Sequence, residues 1–148
     1  EHKQLLCGIQ TEAGTHQRSI DWIIARLRTC YPRRAMMASP RHSPTGVKAP
    51  HGARVIELTW LDGHVSPIPH EILRGYCPCA HCQGHGGNTK FVPGGNLELM
   101  SIEQVGNYAF SFTWADQHAT GIYTFRYLRA LCQCSECAPH SEFKVVSP

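Results

Sequence analysis

The chain lacks several features that would place it in a common functional class. It has no hydrophobic run long enough to cross a membrane and no secretory signal with a small-residue cleavage site. A net charge of +3 is too small to indicate binding of nucleic acid. The glycine-rich stretch at residues 83–96 lacks the Gly-Lys-Ser/Thr ending of a phosphate-binding loop. Without a sorting signal, we expect a cytoplasmic location, with mitochondria or plastids as alternatives.

Positive charge is concentrated in the first third of the chain. Residues 1–54 hold nine Lys or Arg against three acidic residues, whereas acidic residues are in excess in the remainder. Residues 38–52 are rich in Pro, Gly and Ser, a composition typical of linkers. We therefore expect residues 1–53 to be a basic, disordered tail and linker, and residues 54–140 to be the folded domain. Within the tail, the pattern over residues 19–27 predicts one short helix.

Six of the eight cysteines fall in two clusters of identical spacing, Cys-x-Cys-x-x-Cys at residues 77–82 and 132–137. Cysteines this close together pair poorly as disulfides within their own cluster. Metal binding in a reducing compartment explains the spacing better than a secreted disulfide scaffold does. Cys7 and Cys30 lie in the predicted tail, and we expect them to be free thiols.

Each cluster ends a longer motif that occurs twice, in a first copy at residues 54–82 and a second copy at residues 108–137. Both copies contain Trp-x-Asp-x-His followed by Leu-Arg and then the cysteines. The Trp-Asp-His parts are offset by 54 residues and the Leu-Arg-Cys parts by 55. Each copy thus carries three thiols and one imidazole, which is the ligand set of a closed zinc site.

The two copies also predict the same order of elements: a strand, a turn, a short return strand, a short helix and the cysteine cluster. Strands are expected at residues 54–60, 97–105, 108–114 and 119–123, with a return strand that starts at His64 and ends at its prolines, and helices at 70–76 and 124–131. The expected core pairs two apolar strand faces, Val55, Ile56, Leu58 and Trp60 against Phe110, Phe112 and Trp114. The predicted fold class is α+β: a small, mostly antiparallel sheet with two short helices, a pseudo-two-fold internal repeat and stabilisation by zinc.

The fourth ligand of each tetrahedral site must come from outside its cluster. For the first cluster the candidates are His64 of the same copy and His118 of the other copy. A ligand from the other copy would close a long chain loop, so the metal would then contribute most to folding. His81 or His85 in place of His118 is a further alternative.

Residues 54–131 resemble the N-terminal domain of gamma-butyrobetaine hydroxylase and trimethyllysine hydroxylase, and small bacterial proteins long classed as a family of unknown function. The motifs that carry the resemblance are Trp60-x-Asp62-Gly63, Leu73-Arg74-x-x-Cys77-Pro78-Cys79-x-x-Cys82, Val105-Gly106-Asn107-Tyr108-Ala109, Trp114-x-Asp116-x-His118-x-Thr120-Gly121-Ile122-Tyr123 and Tyr127-Leu128-Arg129. In the hydroxylases this domain looks like a structural zinc module. The resemblance implies that the metal ligands are Cys77, Cys79, Cys82 and His118.

The second cluster departs from the family's usual pattern, because the hydroxylases keep little of it. Our hypothesis is a second zinc ion held by Cys132, Cys134, Cys137 and His64. The alternative is a frayed C-terminal segment with free or oxidisable thiols.

Four further residues near the clusters each have two interpretations. Asp62 and Asp116 either stabilise the hairpin turns or accept a hydrogen bond from a ligating imidazole. Arg74 and Arg129 either offset the charge of a zinc ion with three thiolates or favour the C-terminal end of a helix. The remaining histidines near the motifs are expected to face solvent: His70, His81, His85 and His140.

We expect a non-catalytic zinc-binding accessory or interaction module, because a Cys3His site leaves no open position for water. The catalytic domain of the related hydroxylases carries a His-x-Asp…His iron triad, and this sequence has no His-x-Asp. No residue is predicted to be catalytic or to bind an organic cofactor. The expected partner is another protein or a second copy of the chain, not nucleic acid or a membrane.

The alternative function is an accessory role in iron–sulfur cluster assembly or transfer. Related domains occur attached to P-loop scaffold proteins of iron–sulfur assembly, and six thiols in two clusters could carry an iron–sulfur cluster. A third possibility, an enzyme with an activated thiolate, lacks a neighbouring base with its orienting group.

Overall fold

A computed structural model describes residues 22–26, 39–85 and 89–143. The strands form two antiparallel sheets rather than the single sheet that the sequence predicts. The four-stranded sheet has the order β1-β2-β3-β4, with strands Trp22–Arg26, Pro44–Pro50, Val55–Trp60 and Val65–Pro69. The three-stranded sheet has the order β5-β6-β7, with strands Leu99–Val105, Ala109–Trp114 and Ile122–Thr124. The helices are His70–Gly75 (α1), Ala80–Gln83 (α2) and Phe125–Ala130 (α3), and short 3-10 turns cover Pro40–His42 and Ala138–His140.

The core lies where one face of each sheet meets the helices. On β3 every second side chain is buried, and β6 contributes three large aromatic side chains. This alternation of buried and exposed residues is the period-two pattern of a strand with one covered face. The buried residues of both sheets and the helices form one cluster that includes Ile56, Leu58, Trp60, Ile68, Leu73, Phe110, Phe112, Trp114, Tyr123 and Leu128. The expected core faces are therefore confirmed, except that Val55 points outward because it alternates with Ile56.

Residues 44–50 correct the predicted linker. They form β2, which pairs antiparallel with β3 and buries Val47 and Ala49. The Pro and Gly content hides this strand in the sequence, but Pro44 and Pro50 stand at its two ends, where a missing N–H is tolerated.

The helix predicted over residues 19–27 is also wrong. Residues 22–26 form β1, which pairs antiparallel with β2. The β-branched Ile23 and Ile24 favour an extended backbone, and pairing with β2 outweighs a weak helical pattern. The rest of the predicted tail, including Cys7 and Cys30, lies outside the described residues.

The return strand β4 continues through Pro67 and Pro69 instead of ending before them. It is an edge strand, so prolines on its outer side remove no ladder hydrogen bond. The carbonyl of Pro67 accepts a hydrogen bond from Gln133 N–H at 3.1 Å, which ties this edge to the second cysteine cluster. Within the described ranges, none of the helices has the length and apolarity that a membrane crossing needs.

The first hairpin (β3–β4) and the second hairpin (β6–β7) share their turn hydrogen bonds. Trp60 N–H donates to His64 O at 2.9 Å, and Trp114 N–H donates to His118 O at 3.0 Å. Each turn contains a residue with positive φ, Gly63 at 84° and Gln117 at 66°. Glycine adopts this conformation without a steric cost, whereas glutamine does so rarely.

The two core tryptophans differ in one hydrogen bond. Trp60 Nε1–H donates to Ser66 Oγ at 2.8 Å in a buried environment. Trp114 Nε1 is buried with no hydrogen-bond partner among the described residues. Gly121, 55 residues after Ser66, occupies the corresponding position of the second copy and has no hydroxyl to accept this bond.

We predict that Ser66→Ala destabilises the domain by about 1–3 kcal/mol, because it leaves the buried Trp60 N–H without an acceptor. Urea unfolding followed by tryptophan fluorescence measures the change. Ser111→Ala, at a half-exposed position on β6, is the matched control and should change the free energy of unfolding by less than about 0.5 kcal/mol. Equal effects of the two substitutions would contradict the prediction.

Candidate metal centres

The first centre consists of Cys77, Cys79, Cys82 and His118. Cys77 follows α1, Cys79 is the N-cap of α2 and Cys82 lies within α2. His118 comes from the turn of the second hairpin, and its Nε2 lies 3.2, 3.5 and 3.8 Å from the three sulfurs in chain order. All four ligand atoms lie within 4.8 Å of one another.

The second centre consists of Cys132, Cys134, Cys137 and His64. Cys132 follows α3, and His64 comes from the turn of the first hairpin. His64 Nε2 lies 3.3, 3.6 and 3.8 Å from the three sulfurs in chain order. The corresponding distances in the first centre are 3.2, 3.5 and 3.8 Å, so the two centres have nearly the same dimensions.

Both groups have the dimensions of a tetrahedral zinc site. Zinc bonds of about 2.3 Å to sulfur and about 2.05 Å to nitrogen place those two ligand atoms about 3.6 Å apart in a tetrahedron. The Nε2–Sγ distances of 3.2–3.8 Å lie around this value in both centres. The donor set therefore fits a single tetrahedral ion at each centre.

Each centre combines cysteines of one copy with the histidine of the other copy. The structure brings His118 rather than His64 to the first cluster, which is the arrangement that the family resemblance implies. His81 and His85 are exposed and belong to neither group. The His81 ring centroid lies 6.3 Å from that of His118, so His81 borders the first centre without joining it.

Two salt bridges follow the same crossed pattern. Arg74, on α1 of the first copy, donates to Asp116 Oδ2 from Nε at 3.2 Å and from Nη2 at 3.0 Å. Arg129, on α3 of the second copy, donates to the two carboxylate oxygens of Asp62 at 3.2 and 3.1 Å. Both arginine side chains are about nine-tenths buried. The sequence did not predict these pairs, although Leu-Arg and Asp-x-His recur in both copies.

The same aspartates also hold the hairpin turns. Asp116 Oδ1 accepts a hydrogen bond from His118 N–H at 3.0 Å, and Asp62 Oδ1 accepts one from His64 N–H at 3.1 Å. Of the two interpretations, the turn role is therefore the one observed. One carboxylate fixes the backbone of the candidate ligand and the arginine of the other copy at once.

Arg74 additionally contacts a sulfur. Its Nη1 donates to Cys82 Sγ at 3.6 Å, which agrees with a role in offsetting thiolate charge. Arg129 is placed differently, since its Nη1 also donates to Arg41 O at 3.4 Å and its guanidinium lies 5.4 Å from the Trp60 ring centroid.

The pKa values of the ligands in the first centre are shifted, and the shifts affect metal binding differently. Burial raises the pKa of Cys77 to about 12, so this thiol is protonated at neutral pH until a metal displaces the proton. Burial also raises the pKa of Cys79, but hydrogen bonds from Thr120 and Cys82 N–H outweigh it and bring that pKa to about 7. Burial, followed by the Arg74 charge, lowers the pKa of His118, which keeps the imidazole neutral and able to act as a ligand.

The described part of the glycine-rich stretch is held against α1 and the backbone of the first cluster. Gln83 Nε2 donates to Cys77 O at 2.8 Å, and Lys90 N–H donates to Gln83 Oε1 at 2.8 Å. Val92 N–H donates to Gly75 O at 2.8 Å, and a Cβ at Gly75 would collide with the Phe91 ring. This stretch is therefore packed on α1 and the first cluster.

His70 corrects one expectation, because it is buried rather than solvent-facing. Its Nδ1 lies 2.9 Å from Leu97 O, and its ring contacts the Trp114 ring edge-on with centroids 5.4 Å apart. Burial lowers the pKa of His70. The exposure predicted for His81, His85 and His140 is confirmed.

Gly121 belongs to a motif that carries the family resemblance, but the sequence assigned it no role at the site. A Cβ at this position would lie 2.6 Å from Tyr123 Cε2 and 2.7 Å from Cys77 Sγ. We predict that Gly121→Ala costs about 1–3 kcal/mol by overpacking. It should also weaken metal binding at the first centre, because Cys77 must move.

Thermal unfolding and metal analysis of Gly121→Ala measure the two effects. Gly46→Ala is the matched control, since its Cβ would meet only Thr59 Cβ at 3.9 Å. An alanine at position 121 with unchanged melting temperature and metal content would contradict the predicted contact.

Known proteins with similar sequences or structures agree with this architecture. The chain is 34% identical to a protein of unknown function from Acidithiobacillus ferrooxidans, a DUF971 family member, over 64% of this chain and 97% of that one, with a TM-score of 0.52. A second solved protein, determined by NMR in solution, is 28% identical over 70% of this chain and 75% of its own, with a TM-score of 0.54. No curated protein matches. The family model for the gamma-butyrobetaine hydroxylase-like N-terminal domain matches residues 47–129, from within β2 into the last turn of α3. The family resemblance is thereby confirmed, and the chain belongs to the gamma-butyrobetaine hydroxylase-like N-terminal domain family.

Proposed function

We propose that this domain is a non-catalytic module that two zinc ions hold together, and that it serves as an accessory or interaction module for another protein or a second copy of itself. The observation that carries the proposal is the pair of Cys3His groups, each formed by cysteines of one copy and the histidine of the other. Membership of a family named for the N-terminal part of a hydroxylase supports the accessory role.

The two copies are, on this proposal, repeats of one structural unit. Three kinds of interaction recur at equivalent positions and support this: the turn hydrogen bonds, the Arg–Asp pairs and the histidine–sulfur contacts. The β2–β3 and β5–β6 pairings also each contain a register shift near the same end, between Pro44 and Gly46 and between Leu99 and Ser101.

Zinc is the ion that the donor set favours. Three thiolates and one imidazole in a tetrahedral arrangement suit Zn²⁺, whereas Mg²⁺ and Ca²⁺ take oxygen ligands. Four protein ligands saturate a tetrahedral ion and leave no open position for a water molecule. We therefore assign the ions a structural role rather than Lewis-acid chemistry.

Each ion would stabilise the folded state because it joins residues that are far apart in the sequence. His118 is 41 residues from Cys77, and His64 is 68 residues from Cys132. In the unfolded chain these ligands are far apart, so holding them at one ion constrains long loops and favours the folded state.

Iron–sulfur assembly or transfer is the alternative function. In an iron–sulfur cluster the protein ligands are divided between at least two iron atoms, so they do not all lie as close together as around one ion. The Nε2–Sγ distances of 3.2–3.8 Å therefore support single ions. A brown protein with visible absorption after anaerobic purification would favour the cluster, whereas a colourless protein that releases zinc favours the module.

We predict two zinc ions per chain in native mass spectrometry. His118→Ala should lower zinc binding at the first centre and His64→Ala at the second, because each removes the only ligand from the other copy. His81→Ala, which replaces an exposed histidine beside His118, is the control and should keep both ions. Unchanged zinc content in both His118→Ala and Cys77→Ser would refute the first centre.

We also predict that removing the metal lowers the melting temperature under reducing conditions. An ion present at a thousand times its Kd stabilises the folded state by about 4 kcal/mol. For a domain of this size that corresponds to at least about 15 °C. Scanning calorimetry with excess chelator measures the shift, and restored zinc, but not magnesium, should reverse it.

A further inference from the structure

The two centres have the same ligand types but differ in how their sulfurs are covered. Cys77, Cys79 and Cys82 are all buried in the first centre. In the second centre only Cys132 is buried, whereas Cys134 and Cys137 are partly exposed. Cys134 and Cys137 are therefore more accessible to a reagent or a competing ligand than Cys77 and Cys82 are.

The sulfurs of the first centre also accept more hydrogen bonds than those of the second centre. Backbone N–H groups donate equally in both centres, from Cys82 to Cys79 Sγ and from Cys137 to Cys134 Sγ, each at 3.4 Å. The first centre has in addition the guanidinium of Arg74, which donates to Cys82 Sγ at 3.6 Å. Among residues 39–85 and 89–143, no cationic side chain donates to a sulfur of the second centre, because Arg129 is engaged by Asp62 and by Arg41 O.

From these two differences we infer that the centres have separate roles: the first holds a permanent ion, and the second exchanges its ion with external thiolate ligands. This inference rests on the proposed function, because it presupposes zinc at both centres. A hydrogen bond from a cation withdraws charge from a thiolate and makes it less reactive, and burial blocks the approach of a competitor. Cys134 and Cys137 lack both protections.

The exchange is a ligand substitution without a redox change. The sulfur of an incoming thiol forms one Zn–S bond as the bond to Cys137 or Cys134 breaks, and the proton of the incoming thiol passes to the displaced cysteine. Repetition of this step displaces the three cysteines, and a last thiol displaces His64, whose imidazole takes up that thiol's proton as the ion passes to the acceptor. The acceptor is therefore a small thiol or a cysteine-rich protein.

The test uses the full chain loaded with two zinc ions, verified by native mass spectrometry. N-ethylmaleimide is added together with a chromogenic zinc chelator, and peptide mapping follows each cysteine with time, which separates the six ligands from Cys7 and Cys30. We expect Cys134 and Cys137 to be alkylated first, with release of one ion at least about tenfold faster than the other, the ratio expected from loss of a charged hydrogen bond. Alkylation of the first cluster first, or of all six ligands at one rate, would overturn the inference.

Two matched variants identify the cause. Arg74→Gln removes the hydrogen bond to Cys82 Sγ and should speed alkylation of the first cluster at least about fivefold. Arg129→Gln, which removes the equivalent salt bridge without a sulfur contact, should leave that rate unchanged. If Arg74→Gln does not fold, the order of alkylation in the unsubstituted chain decides alone.

Separate arms with glutathione and with a metal-free cysteine-rich peptide as acceptor distinguish the two sources of thiolate. Transfer of one ion to either acceptor supports the inference, and retention of both ions against both acceptors contradicts it. A chain that binds two ions but releases them together refutes only the division of roles. A chain that binds no zinc refutes the proposed function as well.

Discussion

The contact on which this structure depends lies between each cysteine cluster and the hairpin of the opposite copy. Arg74 and the first cluster hold Asp116 and the histidine two residues later, and Arg129 and the second cluster hold the equivalent pair. The carboxylate in each turn bonds to the backbone of the histidine that follows, so the salt bridge and the candidate ligand are positioned as one unit. In each contact one partner belongs to the first copy and the other to the second copy. The packing of the two halves and the geometry of the two centres therefore depend on the same contacts.

This coupling suits a domain with a small core. Each of the two sheets has one large buried face, and together with the helices they form a single cluster around Trp60 and Trp114. Small domains bury a limited fraction of their surface and often need metal ions or disulfides for stability. Six cysteines within two short loops pair poorly as disulfides, but they can each contribute to a metal centre without strain.

The sequence predicts the chemistry here better than it predicts the pairing of strands. Spacing alone identifies both clusters, and alternation identifies β3 and β6, because these signals are local. The strand β2 is concealed by Pro44, Gly46 and Pro50, since its extended form depends on pairing with β3 rather than on its own composition. The burial of His70 and the Arg–Asp pairs likewise arise only when distant segments meet. The choice between His64 and His118 could not be made from spacing, and it required either the family resemblance or the fold.

The reciprocal arrangement has a consequence for the origin of the chain. A single unit with three cysteines and one histidine cannot complete a centre by itself, because its own histidine points to the cysteines of the other unit. Two separate copies facing each other across a two-fold axis would complete two identical centres, which is the geometry of an isologous homodimer. If the two copies arose by duplication, the present chain corresponds to such a dimer joined into one polypeptide. Fusion would also have allowed the two halves to diverge in sequence, so that Ser66 of one half corresponds to Gly121 of the other and the cysteines of one centre are more exposed than those of its twin.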